Sequence, residues 1–256
     1  ARPGGGPPAG THRMTGPLPD YYRAAVVPGQ LRASLCELCR TPTGDQYRFC
    51  FKCHDSFARP NAAGFACYAI GGDQSGTDMR RYKAFPPGAQ ALDNIRLLLE
   101  HCVNHLGCAG RLVGAGIDAV AVVPSRTHYA PGAPSPLQFL CTRILPRYLR
   151  RIDLRPAPGS TSDRRVHTDA FTAPECRDLS HVLVVDDTWA SGATMLSAVT
   201  TIQARGAQFT STLALARWLN PQYSLTHELI VNVERVDDWK KPEQACPFTL
   251  DGTCPT

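Results

Sequence analysis

Apolar residues along this chain follow two rhythms, short unbroken runs and three- or four-residue repeats, and their alternation predicts an α/β fold. Val182 to Val185 is a β-branched and leucine run without a polar break, which is how a strand buried on both faces of a parallel sheet reads. It is expected to be a central strand, ended by the carboxylates Asp186 and Asp187. Ile117 to Val123, Gly64 to Ile70 and Phe209 to Ala216 read as further strands, and Leu229 to Val233 suggests an edge strand. Helical repeats fall at Ser75 to Lys83, at Ala89 to His105 with Gly107 as a stop, at Ser135 to Arg150 with a break near Pro146, and at Met195 to Arg205. Ala1 to Pro17 is Gly/Pro-rich and aperiodic, so disorder is expected there, with Met14 a candidate start. The chain divides on this reading into a disordered or extended segment at 1–30, a cysteine module at 31–60, an α/β domain at 61–220 and an extension at 221–256.

The cysteine module is the clearest local motif. Cys36 and Cys39, then Cys50 and Cys53, give two C-x2-C pairs, with Thr-Pro-Thr-Gly turn chemistry between them. That is zinc-ribbon spacing, and four thiolates leave no open position on a tetrahedral ion, so a structural Zn²⁺ is expected; two disulfides are the alternative. Eleven cysteines is an odd number in a chain large for a disulfide scaffold, which favours reduced thiols. Cys102 and Cys108 read as packing residues. Cys246 and Cys254 belong to no C-x2-C pair, so no second metal site is expected.

The stretch from Asp186 to Thr194 carries the second motif. Thr188, Ser191 and Thr194 offer hydroxyls, Gly192 tolerates positive φ, and the helix that follows points unpaired N–H groups at whatever lies above Ala190, Ser191 and Ala193. A phosphate monoester fits such a place, and two acceptor-only carboxylates at the carboxyl end of a strand suit vicinal sugar hydroxyls. A sugar phosphate is the natural ligand. Neither a Walker loop nor a G-x-G-x-x-G fingerprint is present.

Composition narrows the class further. A chain of 256 residues can bury one α/β core plus a small module, and net charge +5 with no basic block suits an anionic small ligand without pointing to nucleic acid. No long apolar run and no signal segment stand out, so a membrane role is not expected and the cytoplasm is the default. Arg80, Arg81 and Lys83 form a basic corner, either a solvated face or an overhang above phosphates. Pro156 to Asp163, with Arg164, Arg165 and His167 after it, reads as a polar lid or as plain linker.

Val-Leu-Val-Val-Asp-Asp-Thr-x-x-Ser-Gly-x-Thr resembles the phosphoribosyl-pyrophosphate (PRPP) motif of type I phosphoribosyltransferases. Together with the cysteine module, the Arg-Tyr-Lys helix, the Val-Val-Pro-Ser-Arg loop and the lead-in ending at Phe171, it is similar to the ComF-like, competence-associated branch of an actinobacterial kind, over roughly residues 30 to 220. The resemblance implies a parallel sheet flanked by helices under a hood, and a pentosyltransferase that releases pyrophosphate from PRPP on transfer to a small-molecule nitrogenous acceptor. It implies that Asp186 and Asp187 hold the ribose hydroxyls near a catalytic Mg²⁺, and that Thr188 to Thr194 grip the 5′-phosphate. Ser125 and Arg126 would meet the diphosphate, joined by Lys83 or by Arg165 once the lid closes. A homodimer is compatible with it. The other reading is a PRPP-sensing or assembly module without turnover, such as a DNA-uptake accessory. The sequence departs from the pattern at Ala190-Ser191, and in the loop from His128 to Pro136 that replaces a longer Arg-Gly-Phe-Asn-Gln string.

Overall fold

A computed structural model describes residues 16–27, 29, 34–43, 47–54, 59–125, 134–159, 163–236 and 239–256. The centre of the molecule is β7 (His181–Trp189), flanked by β3 (Ala119–Val122) on one side and β8 (Phe209–Leu219) on the other, both parallel to it. Outside them lie β2 (Ala62–Ile70), parallel to β8, and β4 (Arg150–Ile152), parallel to β3. A short antiparallel edge strand, β1 (Arg23–Ala24), completes the order β1-β2-β8-β7-β3-β4. A separate two-residue pairing joins β5 (Arg155–Pro156) to β6 (Phe171–Thr172), and a single helical turn, α1 (Phe51–His54), carries Cys53. The fold is thus α/β, a mostly parallel sheet flanked by helices, as expected.

Successive residues of a strand face opposite sides of its sheet, and β7 applies this without waste. Val182 and Val184 enter one core with Met195, Val199 and Ile202 of α6 (Ala193–Ala204) and with Leu229, Ile230 and Val233 of α7 (Ser224–Arg235). Leu183 and Val185 enter the other. There they meet α2 (Gln74–Arg81), α3 (Ala89–Val103), α4 (Leu106–Val113) and α5 (Pro136–Ile144), represented by Met79, Ile95, Leu106 and Leu140. Asp118 accepts from the backbone N–H groups of Ser180 and His181, which fixes β3 and β7 in register at their starts.

Four elements differ from the sequence expectation. Leu229 to Val233 is helical, because Thr226, Leu229, Ile230 and Val233 recur at three, four and seven residues and bury one face of α7. Gly107 does not stop the helix; the break falls at Asn104–His105, and Gly107 lies within α4, which ends instead at Gly114 with φ +79°. The helix from Ser135 ends at Ile144, since Pro146 cannot extend it, and Arg150 already belongs to β4. β7 runs on through both aspartates to Trp189, so the carboxylates are strand residues with alternating exposure. The disorder expected for Ala1 to Pro17 concerns residues almost all outside those described. Leu18 and Tyr22, further along, are buried against the sheet.

One buried polar hub ties that lead-in to the helices. Asp78 on α2 accepts hydrogen bonds from Tyr21 and Tyr22 hydroxyls at 2.8 Å each, from Asn94 at 2.8 Å and from Gln74 at 2.9 Å. Burial alone would raise its pKa, but the donors, Asn94 foremost, hold it below the ordinary 3.8. A carboxylate depressed in the folded state contributes stability above its unfolded pKa and loses it as pH falls through the folded one. Asp78→Ala strands several donors and should cost roughly 2–4 kcal/mol in urea unfolding at pH 7, with the gap to wild type shrinking only below about pH 4.

Candidate functional site

The carboxyl ends of β3 and β7 part to form an open cleft of about 290 Å³. In an open parallel sheet this is where ligands bind, because the strand ends and the helix starts that follow them leave backbone groups unpaired. One wall is Val123, Pro124 and Ser125 after β3, with Ser135, Pro136 and Leu137 at the start of α5. Facing them are Asp186, Asp187, Thr188, Ala190 and Thr194, and Tyr82 and Lys83 close one end.

Asp187 is nearly buried and is held from two sides. The Tyr82 hydroxyl donates to its Oδ2, and Lys83 Nζ lies 2.5 Å from the same oxygen. Its own N–H donates to Asp186 Oδ1 at 2.8 Å. Thr188 Oγ1 is buried and has no hydrogen-bond partner among the described residues. Gly192 caps α6 with φ +80° and brings no side-chain bond of its own; Ser191 Oγ accepts from the first helical N–H, that of Ala193, at 3.4 Å. The α5 start is closed differently, by a reciprocal capping box between Ser135 and Gln138.

Of the residues singled out in the sequence, the cleft brings together Ser125, Asp186, Asp187, Thr188, Ala190, Thr194 and Lys83. Ser191, Gly192 and Ala193 form the turn behind that wall, and only Ser191 among them offers a side-chain acceptor, 3.4 Å from the Ala193 nitrogen. Arg165 is exposed and does not line the cleft, while its N–H donates to Asp163. Arg126 lies outside the described residues. Within the basic corner only Lys83 reaches the site; Arg80 stacks on Trp218 at 5.1 Å and Arg81 is exposed. Tyr82 was not foreseen, although it stands between two of the corner residues; it is buried and shares Asp187 Oδ2 with Lys83. Gly192 has a role the sequence did not suggest: a Cβ there would sit 2.6 Å from the Trp189 indole. The glycine is therefore demanded by the fold itself, whatever the loop holds.

The cysteine module packs against the back of this loop. Sγ atoms of Cys36, Cys39, Cys50 and Cys53 all lie within 4.8 Å of one another, a donor set that fits tetrahedral Zn²⁺. Hydrogen bonding from the Cys36 thiol, then from Cys50 and Cys53, together with the charge of Arg217, holds Cys39 well below the usual thiol range. Arg217, buried at the end of β8, donates to Cys39 O at 2.6 Å, to Thr41 Oγ1 at 2.5 Å, and to Trp189 O and Ala190 O at 3.1 and 3.2 Å. Arg40, with φ 59°, is buried beside it, over the Phe65 ring at 4.9 Å, and donates to Pro247 O at 2.7 Å. A Zn²⁺ held by four thiolates carries two negative charges, and two buried guanidiniums offset them.

These features define an α/β protein with a ligand cleft at its strand ends and a cysteine module behind it. The chain matches no protein-family model and no curated protein. Among solved structures it is similar to the Helicobacter pylori xanthine-guanine-hypoxanthine phosphoribosyltransferase, at 13% identity and a TM-score of 0.28, over 53% of this chain and 94% of that one. No helix among the described residues is long and apolar enough to cross a membrane.

Gly192→Ala should lower unfolding free energy by about 1–3 kcal/mol without any ligand, from left-handed backbone strain and the Trp189 clash. Equal urea midpoints for the two proteins would contradict this. Cys39→Ser should remove the zinc of this module and lower the melting temperature more than it changes ligand affinity per folded molecule, read by metal analysis and thermal unfolding. Absence of zinc from freshly purified, reduced wild type sinks that assignment.

Proposed function

We propose that the chain is a ComF-like phosphoribosyltransferase, which binds PRPP and transfers its 5-phosphoribosyl group to a nitrogenous small molecule with release of pyrophosphate. The observation that supports this best is the occurrence together, in the lining of one cleft, of Asp186, Asp187 and Thr188 from the end of β7 and Thr194 from the first turn of α6. The carboxylates accept from the ribose 2′- and 3′-hydroxyls, and Thr188, whose buried hydroxyl has no partner among the described residues, together with Ser191, Thr194 and the amides of Ala190 to Ala193, takes the 5′-phosphate. Ser125, Arg126 next to it in sequence, and Lys83 take the diphosphate, with Arg165 as a further cation for it. The oxygen donors of Asp186 and Asp187 fit Mg²⁺, and Asp187 is already paired with a cation. When bound, that ion neutralises charge on the leaving diphosphate.

In the transfer, the bond from ribose C1 to the diphosphate oxygen breaks while the acceptor nitrogen bonds to C1, and the acceptor's proton leaves to solvent or pyrophosphate. The protein's part is electrostatic: fixed donors and carboxylates hold an oxocarbenium-like centre between two phosphate groups, so catalysis lies in placement more than in proton transfer. None of the eleven cysteines is joined in a disulfide, which suits a reducing cytoplasm.

Asp186→Asn and Asp187→Asn should each weaken PRPP binding by about 1.5–3 kcal/mol in calorimetry while leaving the fold intact. Ribose 5-phosphate should compete and ribose should not. Unchanged affinity in both variants overturns the site. A pyrophosphate-release screen with PRPP, Mg²⁺ and a panel of bases and amines identifies the acceptor; tight PRPP binding with no release for any acceptor replaces transfer by sensing.

A further inference from the structure

A second cluster of metal-ligating side chains lies at the junction of α3 and α4 and shares no residue with the cleft or the cysteine module. His105, at the junction of those helices, and Cys108, one turn on, share a helix face; Cys246 and Cys254 come from the segment after α7. The ligand atoms of all four lie within 4.8 Å of one another. His105 Nδ1 is 3.7 Å from Cys108 Sγ and 3.5 Å from Cys254 Sγ. A tetrahedral ion with Zn–S of about 2.3 Å and Zn–N of about 2.0–2.1 Å sets neighbouring ligands about 3.5–3.8 Å apart. From this convergence of one imidazole and three thiols we propose that His105, Cys108, Cys246 and Cys254 bind a second, structural Zn²⁺.

The surroundings are built for it. Cys246 N–H donates to Gly252 O at 2.7 Å and closes a loop that brings Cys254 back to Cys246. Gly252 makes this turn with φ +74°, where a Cβ would lie 2.8 Å from Val26 and 2.9 Å from Ala245. His101 Nε2 bonds Ala245 O at 2.9 Å, and Arg111 Nε donates to Pro255 O at 2.8 Å, so each cysteine of the loop is held by its neighbour. Arg111 also points its Nη2 at Cys108 Sγ at 3.3 Å. Three thiolates and a neutral imidazole leave one net negative charge on a zinc complex, and the guanidinium offsets it, as outer partners of metal ligands commonly do. Binding releases up to three thiol protons to solvent. No position remains open for substrate, so the ion is a fastener.

What it fastens is the loop that supports the first cysteine module. Pro247 O and Thr249 O accept from Arg40, Pro247 O also from Phe65 N–H, and Leu250 O from Val27 N–H. The second zinc holds from behind the segment on which the first knuckle rests.

The test is zinc content per chain of full-length, reduced protein after dialysis against a weak chelator. Wild type should retain two ions and Cys254→Ser one, as should His105→Ala; Cys39→Ser should also lose one, but a different one. The cobalt-substituted protein should show that difference, since Cys254→Ser removes an S₃N spectrum and Cys39→Ser an S₄ spectrum. Cys254 is exposed, so its replacement keeps the test valid even if His105→Ala does not fold. Zinc content unchanged by Cys254→Ser overturns the proposal, as does an unreduced mass lighter by two hydrogens in wild type but not in Cys254→Ser. A wild type holding one ion that Cys254→Ser abolishes upholds this site and removes the ion from the other.

Discussion

The guanidinium of Arg217 is the constraint on which the layout of the candidate site depends. It sits at the end of β8 with 3% of its surface exposed, yet it reaches carbonyls on the chain after β7 and on the Cys39 knuckle. A charge so placed is tolerable only when its donors are matched, and here the matching partners are backbone atoms of two otherwise separate elements. The knuckle and the turn at 189–190 are consequently fixed to one another through a single side chain. Neither can shift without leaving a buried donor unpaired, at a cost of several kcal/mol by the usual scale for broken buried charges.

From that fixed turn the cleft follows. Trp189 is packed edge-on to Phe65 at 5.5 Å, which in turn lies beneath Arg40, so the indole cannot retreat to admit a Cβ at 192. The tight turn forces α6 to start where it does, and the alternation along β7 then puts Asp187 toward α2, where Tyr82 and Lys83 receive it. The cysteine module is thus part of the site's foundation: knuckle, arginine and the turn at 189–190 form one continuous chain of contacts.

Much of this was legible in the sequence, and the remainder was hidden for identifiable reasons. Val182 to Val185 announces a central strand because only a strand covered on both faces lacks polar breaks, and the two C-x2-C pairs announce a knuckle because the spacing is short and local. Leu229 to Val233 misled because its aliphatic and β-branched side chains suggest a strand, while the deciding repeat extends back to Thr226. Tyr82, Arg217 and Arg40 matter through partners 105, 178 and 207 positions away, and no local pattern carries such pairings. The cluster of His105, Cys108, Cys246 and Cys254 was missed for the same reason. Its halves have no common spacing, and only the packing of the last segment against α4 unites them.

The edge of the sheet has a consequence for the order of assembly. β1 pairs with β2 near the start of the chain, but Ala24 also exchanges hydrogen bonds with Lys240 and Trp239, the latter 215 positions on, and Val27 donates to Leu250. During synthesis these partners emerge long after β2, β3 and β7 have left the ribosome. The parallel centre can therefore pair while its β2 margin still lacks its full cover, and an uncovered margin is where another nascent chain can add a strand. This seam can close only after residues 239–250 have emerged, so until then the β1–β2 margin keeps its strand pairing but lacks part of its cover.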